Sequence, residues 1–106
     1  MDELNAIYDF ERADTVSANQ IYVLYLYIAG STPRSQRAVI NVQKICKESL
    51  EEVCELQVID IFQQPFLAKA EQIFAVPTLI KKSPTPKRLF IGDMSDTITI
   101  LANLNS

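Results

Sequence analysis

The chain has 106 residues, 48% of them hydrophobic and 22% charged, which fits one folded domain with a single core. The formal charge is −3, with no basic surplus of the kind that binds nucleic acid. No apolar run reaches the ~18 residues of a membrane span, and there is no histidine, the commonest general base and metal ligand.

Residues 1–20 hold Asp2, Glu3, Asp9, Glu11 and Asp14 against Arg12 alone, so the acidity is concentrated there. This stretch reads as an acidic N-terminal extension before a domain over 21–106. Leu4, Ile7 and Tyr8 have helical spacing, which fits a frayed tail or a short segment packed on a neighbouring subunit. An acidic start is unlike a secretory signal, so the expected location is the cytoplasm.

Ile21–Ile28 is aromatic, β-branched and apolar at every position, the pattern of a central strand covered on both faces. Ala29-Gly30-Ser31 turns the chain. Thr32-Pro33 supplies an N-cap and a first-turn proline for a helix running to about Glu52. Ala38, Val42, Ile45, Cys46 and Leu50 form its apolar stripe. Cys54–Ile61 is a second strand, parallel to the first because a helix intervenes. Gln64-Pro65 opens a second helix, with Phe66 or Leu67, Ala70, Ile73 and Phe74 expected on its buried side.

Val76-Pro77-Thr78 interrupts an apolar run, so the third strand starts at Thr78 and reaches Lys82. The Val76–Pro77 bond is a candidate cis peptide. Ser83-Pro84-Thr85-Pro86 is a tight link to an antiparallel fourth strand, Arg88–Ile91. The last segment reads two ways. Ile98, Leu101 and Leu104 have helical spacing with Ser95 as N-cap, whereas Thr97–Ile100 alternates like a strand. The order βαβ, α, ββ, α is that of a thioredoxin-like α/β domain, a mixed four-stranded sheet with helices on both faces.

Redox proteins of that fold carry Cys-x-x-Cys where the first helix opens. Here that loop reads Gly30-Ser31-Thr32-Pro33, with no sulfur. Cys46 lies on the apolar stripe and Cys54 opens the second strand. Both read as structural thiols, with oxidation sensing or a chance disulfide as the remaining readings. No catalytic residues, metal site or cofactor are expected: the acids are scattered and Gly30 and Gly92 are the only glycines. Asp93 and Asp96 suit capping and backbone hydrogen bonding in their turn. Two binding features remain. Lys81, Lys82, Lys87 and Arg88 flank the proline-rich turn as a basic tip, either a solvated hairpin end or a docking site for an acidic surface. Tyr22, Tyr25 and Tyr27 suit either core packing or a contact between subunits.

Tyr22-Val23-Leu24-Tyr25-Leu26-Tyr27-Ile28-Ala29-Gly30-Ser31-Thr32-Pro33, then Val58–Ile61, Ala75–Leu79 and Ile91–Asp96 together resemble the KaiB family, over about Ile21 to Leu101. The resemblance implies a non-enzymatic regulatory protein of the circadian clock. Such a protein binds the N-terminal ring of a KaiC-type ATPase, sequesters KaiA there, and competes with a histidine kinase whose sensor domain is thioredoxin-like. It also implies two folds: the thioredoxin-like one when partner-bound, and a self-associated ground state, dimer or tetramer, with βαββααβ order. By position, Tyr22, Pro33, Pro77, Gly92, Asp93 and Asp96 are implied to balance the two folds, and alanine at Gly92 is expected to favour the thioredoxin-like one. Arg37, with its neighbour Arg34, falls in the partner-contacting part of the first helix.

There are departures from the family pattern: the longer extension over 1–20, Tyr25 in place of a lysine, and no acidic tail after Leu104. They point to a KaiB–KaiC pair without KaiA, linked to stress adaptation. The competing readings are a thiol oxidoreductase and an interaction domain that docks on a histidine kinase.

Overall fold

The computed structural model describes residues 21–50 and 54–104; the acidic extension over 1–20 lies outside them. Strand β1 (Tyr22–Ile28) is central, as its apolar sequence requires. It pairs in parallel with β2 (Cys54–Asp60), Tyr22 opposite Cys54 and Ile28 opposite Asp60. On its other side it pairs antiparallel with β3 (Thr78–Ser83), which pairs antiparallel with β4 (Arg88–Ile91). The sheet order is β2-β1-β3-β4. This is the thioredoxin-like layout expected from the element order, not the βαββααβ alternative.

Helix α1 (Pro33–Ile45) starts as its sequence dictates. The Thr32 hydroxyl accepts the Ser35 amide at 3.3 Å, and Pro33 fills the first turn, where no N–H is needed. The Ser35 hydroxyl in turn accepts the Ala29 amide at 3.0 Å, tying the helix to the loop before it. The helix ends earlier than its periodicity suggests. From Cys46 to Leu50 the chain widens into a π-helical turn that keeps Leu50 buried.

This turn brings Cys46 and Cys54 together. Their Cα atoms are 5.7 Å apart and their sulfurs are bonded, within the ordinary span of a disulfide. The expectation of separate structural thiols is thus corrected. The helical stripe and the strand start converge on one spot, a proximity that sequence spacing did not reveal.

Side chains alternate across β1 and divide the core in two. Leu24 and Leu26 face α1 and the last helix, α3 (Thr97–Leu104), among Ala38, Val42, Ile45, Leu79, Ile100 and Leu104. Tyr27 faces the other way, with Ile59 and Ile80, and Tyr25 packs at its margin. Tyr27 is thus a core residue, while the half-buried Tyr22 and Tyr25 pack at the core's margins. Helix α2 (Pro65–Ala70) is short and buries no residue fully. Of its expected buried side only Ile73 packs, together with Ala68; Phe66 and Phe74 are 84% and 95% exposed, and Leu67 and Ala70 are exposed as well. The doubtful last segment is helical, and its cap is Asp96 rather than Ser95: the Asp96 carboxylate accepts the Thr99 amide at 3.3 Å.

Candidate functional site

Arg34 and Arg37 lie on the first turns of α1, against the turn formed by Gly92–Asp96. The Arg37 guanidinium donates to the Asp93 carboxylate at 3.2 Å, and the Asn41 side-chain amide donates to the Asp93 carbonyl at 2.9 Å. A terminal nitrogen of Arg34 would stand 3.8 Å from a Cβ at Gly92. The turn is internally braced, the Asp93 carboxylate accepting the Ser95 amide at 3.1 Å. Hydrogen bonds from Ser95, then from Arg37, hold the Asp93 carboxyl below its usual value. Gly92 has φ +122°, in the region that side chains avoid, and donates its amide to the Pro77 carbonyl at 3.0 Å. Arg34, Gly92, Asp93, Asp96 and Thr99 line a cleft of about 480 Å³.

Pro77 is buried behind a cis Val76–Pro77 bond. Tyr27 is opposite Thr78, so Pro77 stands level with the end of β1, where the Gly30 loop departs. The loop is held by Asp60, whose carboxylate accepts the amides of Gly30 at 3.2 Å and Phe62 at 2.9 Å. Gly30 has φ +59°, and a Cβ there would meet the Phe62 ring at 3.6 Å. The disulfide lies at the far end of α1. Across its 13 residues that is roughly 20 Å from the helix opening, so neither cysteine faces the redox position of the fold.

The basic tip is dispersed, which corrects one of its members. Successive residues of a strand point to opposite faces. Lys81 therefore turns inward, 1% exposed, and donates to the Leu104 carbonyl at 2.9 Å, closing the last turn of α3. Burial, then the nearby Arg88 charge, push its pKa down. Its ammonium also lies 5.9 Å from the centre of the Tyr22 ring. Lys81 is a structural cation, not part of a docking tip. Lys82 faces the opposite side, over the Tyr25 ring at 5.4 Å, and pairs with Glu71. Lys87 reaches the same carboxylate at 3.1 Å. Glu71, just past α2, is thus the hub of the tip, and sequence reading missed it because nothing local links it to the hairpin. The hydrogen bond from Lys82, then that from Lys87, outweigh burial and hold its pKa low.

Also missed were three exposed phenylalanines on the α2 side: Phe62, 71% exposed, with Phe66 and Phe74. Apolar residues after a helix-starting proline read as a buried stripe; only their exposure marks them as surface. Among the described residues no group of histidine, cysteine, aspartate or glutamate is arranged to hold a metal, and no helix is long and apolar enough to cross a membrane.

The sequence profile of the KaiB domain matches residues 25–105. The chain is 45% identical over 83 residues to the circadian clock protein KaiB3 of Synechocystis sp., covering 78% of this chain and 81% of that one. It is 43% identical over 90 residues to the circadian clock oscillator protein KaiB of Nostoc punctiforme, covering 85% and 86%. Both relatives are circadian clock proteins by name. Among solved structures, the N-terminal domain of Synechococcus elongatus SasA superposes with a TM-score of 0.64 at 30% identity, over 80% of this chain and 79% of that one. The germline thioredoxin Deadhead of Drosophila melanogaster gives 0.67 at 13% identity, over 98% and 99%, a likeness of fold alone. With the profile spanning most of the chain and the clock proteins aligned across it, the chain belongs to the KaiB family.

Proposed function

We propose that this chain is a cytoplasmic, non-enzymatic regulatory protein that docks on a KaiC-type ATPase, in circadian-type timing or stress adaptation. The family match over residues 25–105 carries this reading. The domain over 21–106 is the docking unit, and residues 1–20 are an appendage to it. On the α1 side, Arg34 and Arg37 present guanidinium groups beside a braced turn. On the α2 side, Phe62, Phe66 and Phe74 expose aromatic surface of the kind protein interfaces bury. Lys82, Lys87 and Arg88 supply positive charge between strands β3 and β4. Tyr22, Pro33, Pro77, Gly92, Asp93 and Asp96 set the stability of this fold against a self-associated one. In isolation the protein is a homo-oligomer.

Mixing the protein with a KaiC-type ATPase and ATP, followed by size-exclusion chromatography, tests the reading. The expected result is co-elution that weakens about tenfold on Arg37→Glu. Absence of a complex in every nucleotide state, even after long incubation, would overturn it. The likeness to the SasA N-terminal domain at 30% identity favours one second reading, an interaction domain that docks on a histidine kinase. Co-elution with such a kinase in the absence of any ATPase is its measurement.

A further inference from the structure

We propose that Cys46 and Cys54 form a reversible thiol–disulfide site, open to low-molecular-weight thiols and disulfides, that controls how firmly α3 is held on the sheet. Cys46 caps α1 and opens the π-helical turn. Cys54 is the first residue of β2, paired with Tyr22. The bond therefore ties the end of the crossover helix to the strand that follows it, a sequence separation of 8.

Both cysteines are partly buried and pack against the cluster containing Ile45, Leu50, Ile100 and Leu104. Leu50 closes the π turn, while Ile100 and Leu104 are the buried residues of α3. The disulfide thus anchors the wall on which α3 rests. A π turn is a rare and less regular arrangement than the α-helix it extends. Its hold on Leu50 depends on outside support, which the bond to β2 supplies at its first residue. Each cysteine keeps part of its surface exposed, whereas fully enclosed cysteines are inert. The site acts on its own chain: it lies at the opposite end of α1 from the loop that carries the dithiol in redox proteins of this fold.

A cysteine of the reduced protein loses its proton, and the thiolate attacks a small disulfide such as oxidised glutathione. A mixed disulfide forms and one small thiolate leaves, taking up that proton. The second cysteine, deprotonated in turn, attacks the protein sulfur of the mixed disulfide, forming the Cys46–Cys54 bond and releasing the second small thiol. Two electrons pass from the protein to the small disulfide, and two small thiols result. A dithiol reductant reverses the sequence.

The test equilibrates the full chain in glutathione buffers of graded ratio and quenches by alkylation under denaturing conditions, counting modified cysteines by mass. None is expected at the oxidising end and two at the reducing end, with the protein monomer mass unchanged by cross-linking. On reduction Tm should fall by about 10 °C. Amide exchange in α3 should accelerate at least tenfold relative to β1. The Cys46→Ser, Cys54→Ser double variant should lose all dependence on the buffer, and the wild-type comparison stands even if that variant fails to fold. Two alkylated cysteines at every ratio, a disulfide formed only between chains, or equal Tm and α3 exchange in both states would each overturn the proposal. None of these measurements involves the ATPase, so the outcome is separate from that of the docking reading.

Discussion

At Gly92 a single dihedral angle decides the effect of a substitution. Its φ of +122° is costly for any residue with a Cβ, by about 1–3 kcal/mol. Gly92→Ala is therefore expected to destabilise this fold, measurable by chemical denaturation, the reverse of the expectation from sequence. Glu71 gives a second residue-scale prediction. Its carboxyl is held below the ordinary 4.5 by Lys82 and Lys87, so its stabilising contribution is complete above that value and is lost as pH falls through the lower folded one. Glu71→Gln should flatten the acid limb of the stability curve and cost about 1 kcal/mol at neutral pH. Lys81→Met should change global stability by less than about 1 kcal/mol, because relief of the buried charge offsets the lost bond. It should nevertheless fray the last turn of α3, seen as faster amide exchange there. The inward turn of Lys81 was partly legible, since adjacent lysines on a strand cannot both face solvent on one side. Which of the two turned in depended on the register with β1, which only the folded sheet supplies.

Among the elements, α3 shows how packing settles a conflict between propensity and pattern. Thr97–Ile100 is β-branched throughout, yet the segment is helical because Ile100 and Leu104 reach the core while Ile98 stays 81% exposed. Ile100→Ala should cost about 2–4 kcal/mol, and Ile98→Ala within about 0.5 kcal/mol; urea denaturation of the two variants checks the contrast. The start of α1 was readable because Thr32-Pro33 states its capping chemistry locally. Its end was not, because the π turn and the disulfide depend on β2 returning to the same place. Helix α2 was misread for a related reason. Apolar residues mark a core only where another layer covers them, and at Phe66 and Phe74 none of the described residues does.

For the whole molecule, the parallel β1–β2 and antiparallel β3–β4 pairings followed from the lengths of the links between those strands, whereas the antiparallel β1–β3 pairing across the long link is supplied by the folded sheet. The apolar character of β1 placed it at the centre. The fold arrives with its redox position empty of sulfur: Ser31 stands in the opening loop and the cysteines lie elsewhere. Catalysed reduction of insulin by a dithiol should accordingly run no faster with the protein than without it. The surface was the least legible part, since the meeting of Arg37 with Asp93, or of Lys87 with Glu71, joins residues far apart in sequence.

The sheet order also makes the molecule divisible. On one side of β1 lies a self-contained unit, β1-α1-β2, closed by its own parallel ladder and disulfide. On the other lies β3-β4-α3, bound within itself by the Lys81–Leu104 and Gly92–Pro77 hydrogen bonds. The β1–β3 ladder, the apolar layer beneath it and the contacts of Arg37 and Asn41 with Asp93 join the two. The exposed turn at Gln63–Gln64 connects them covalently. A nick in that turn should therefore leave two complementary fragments that stay associated, each completing an edge the other lacks.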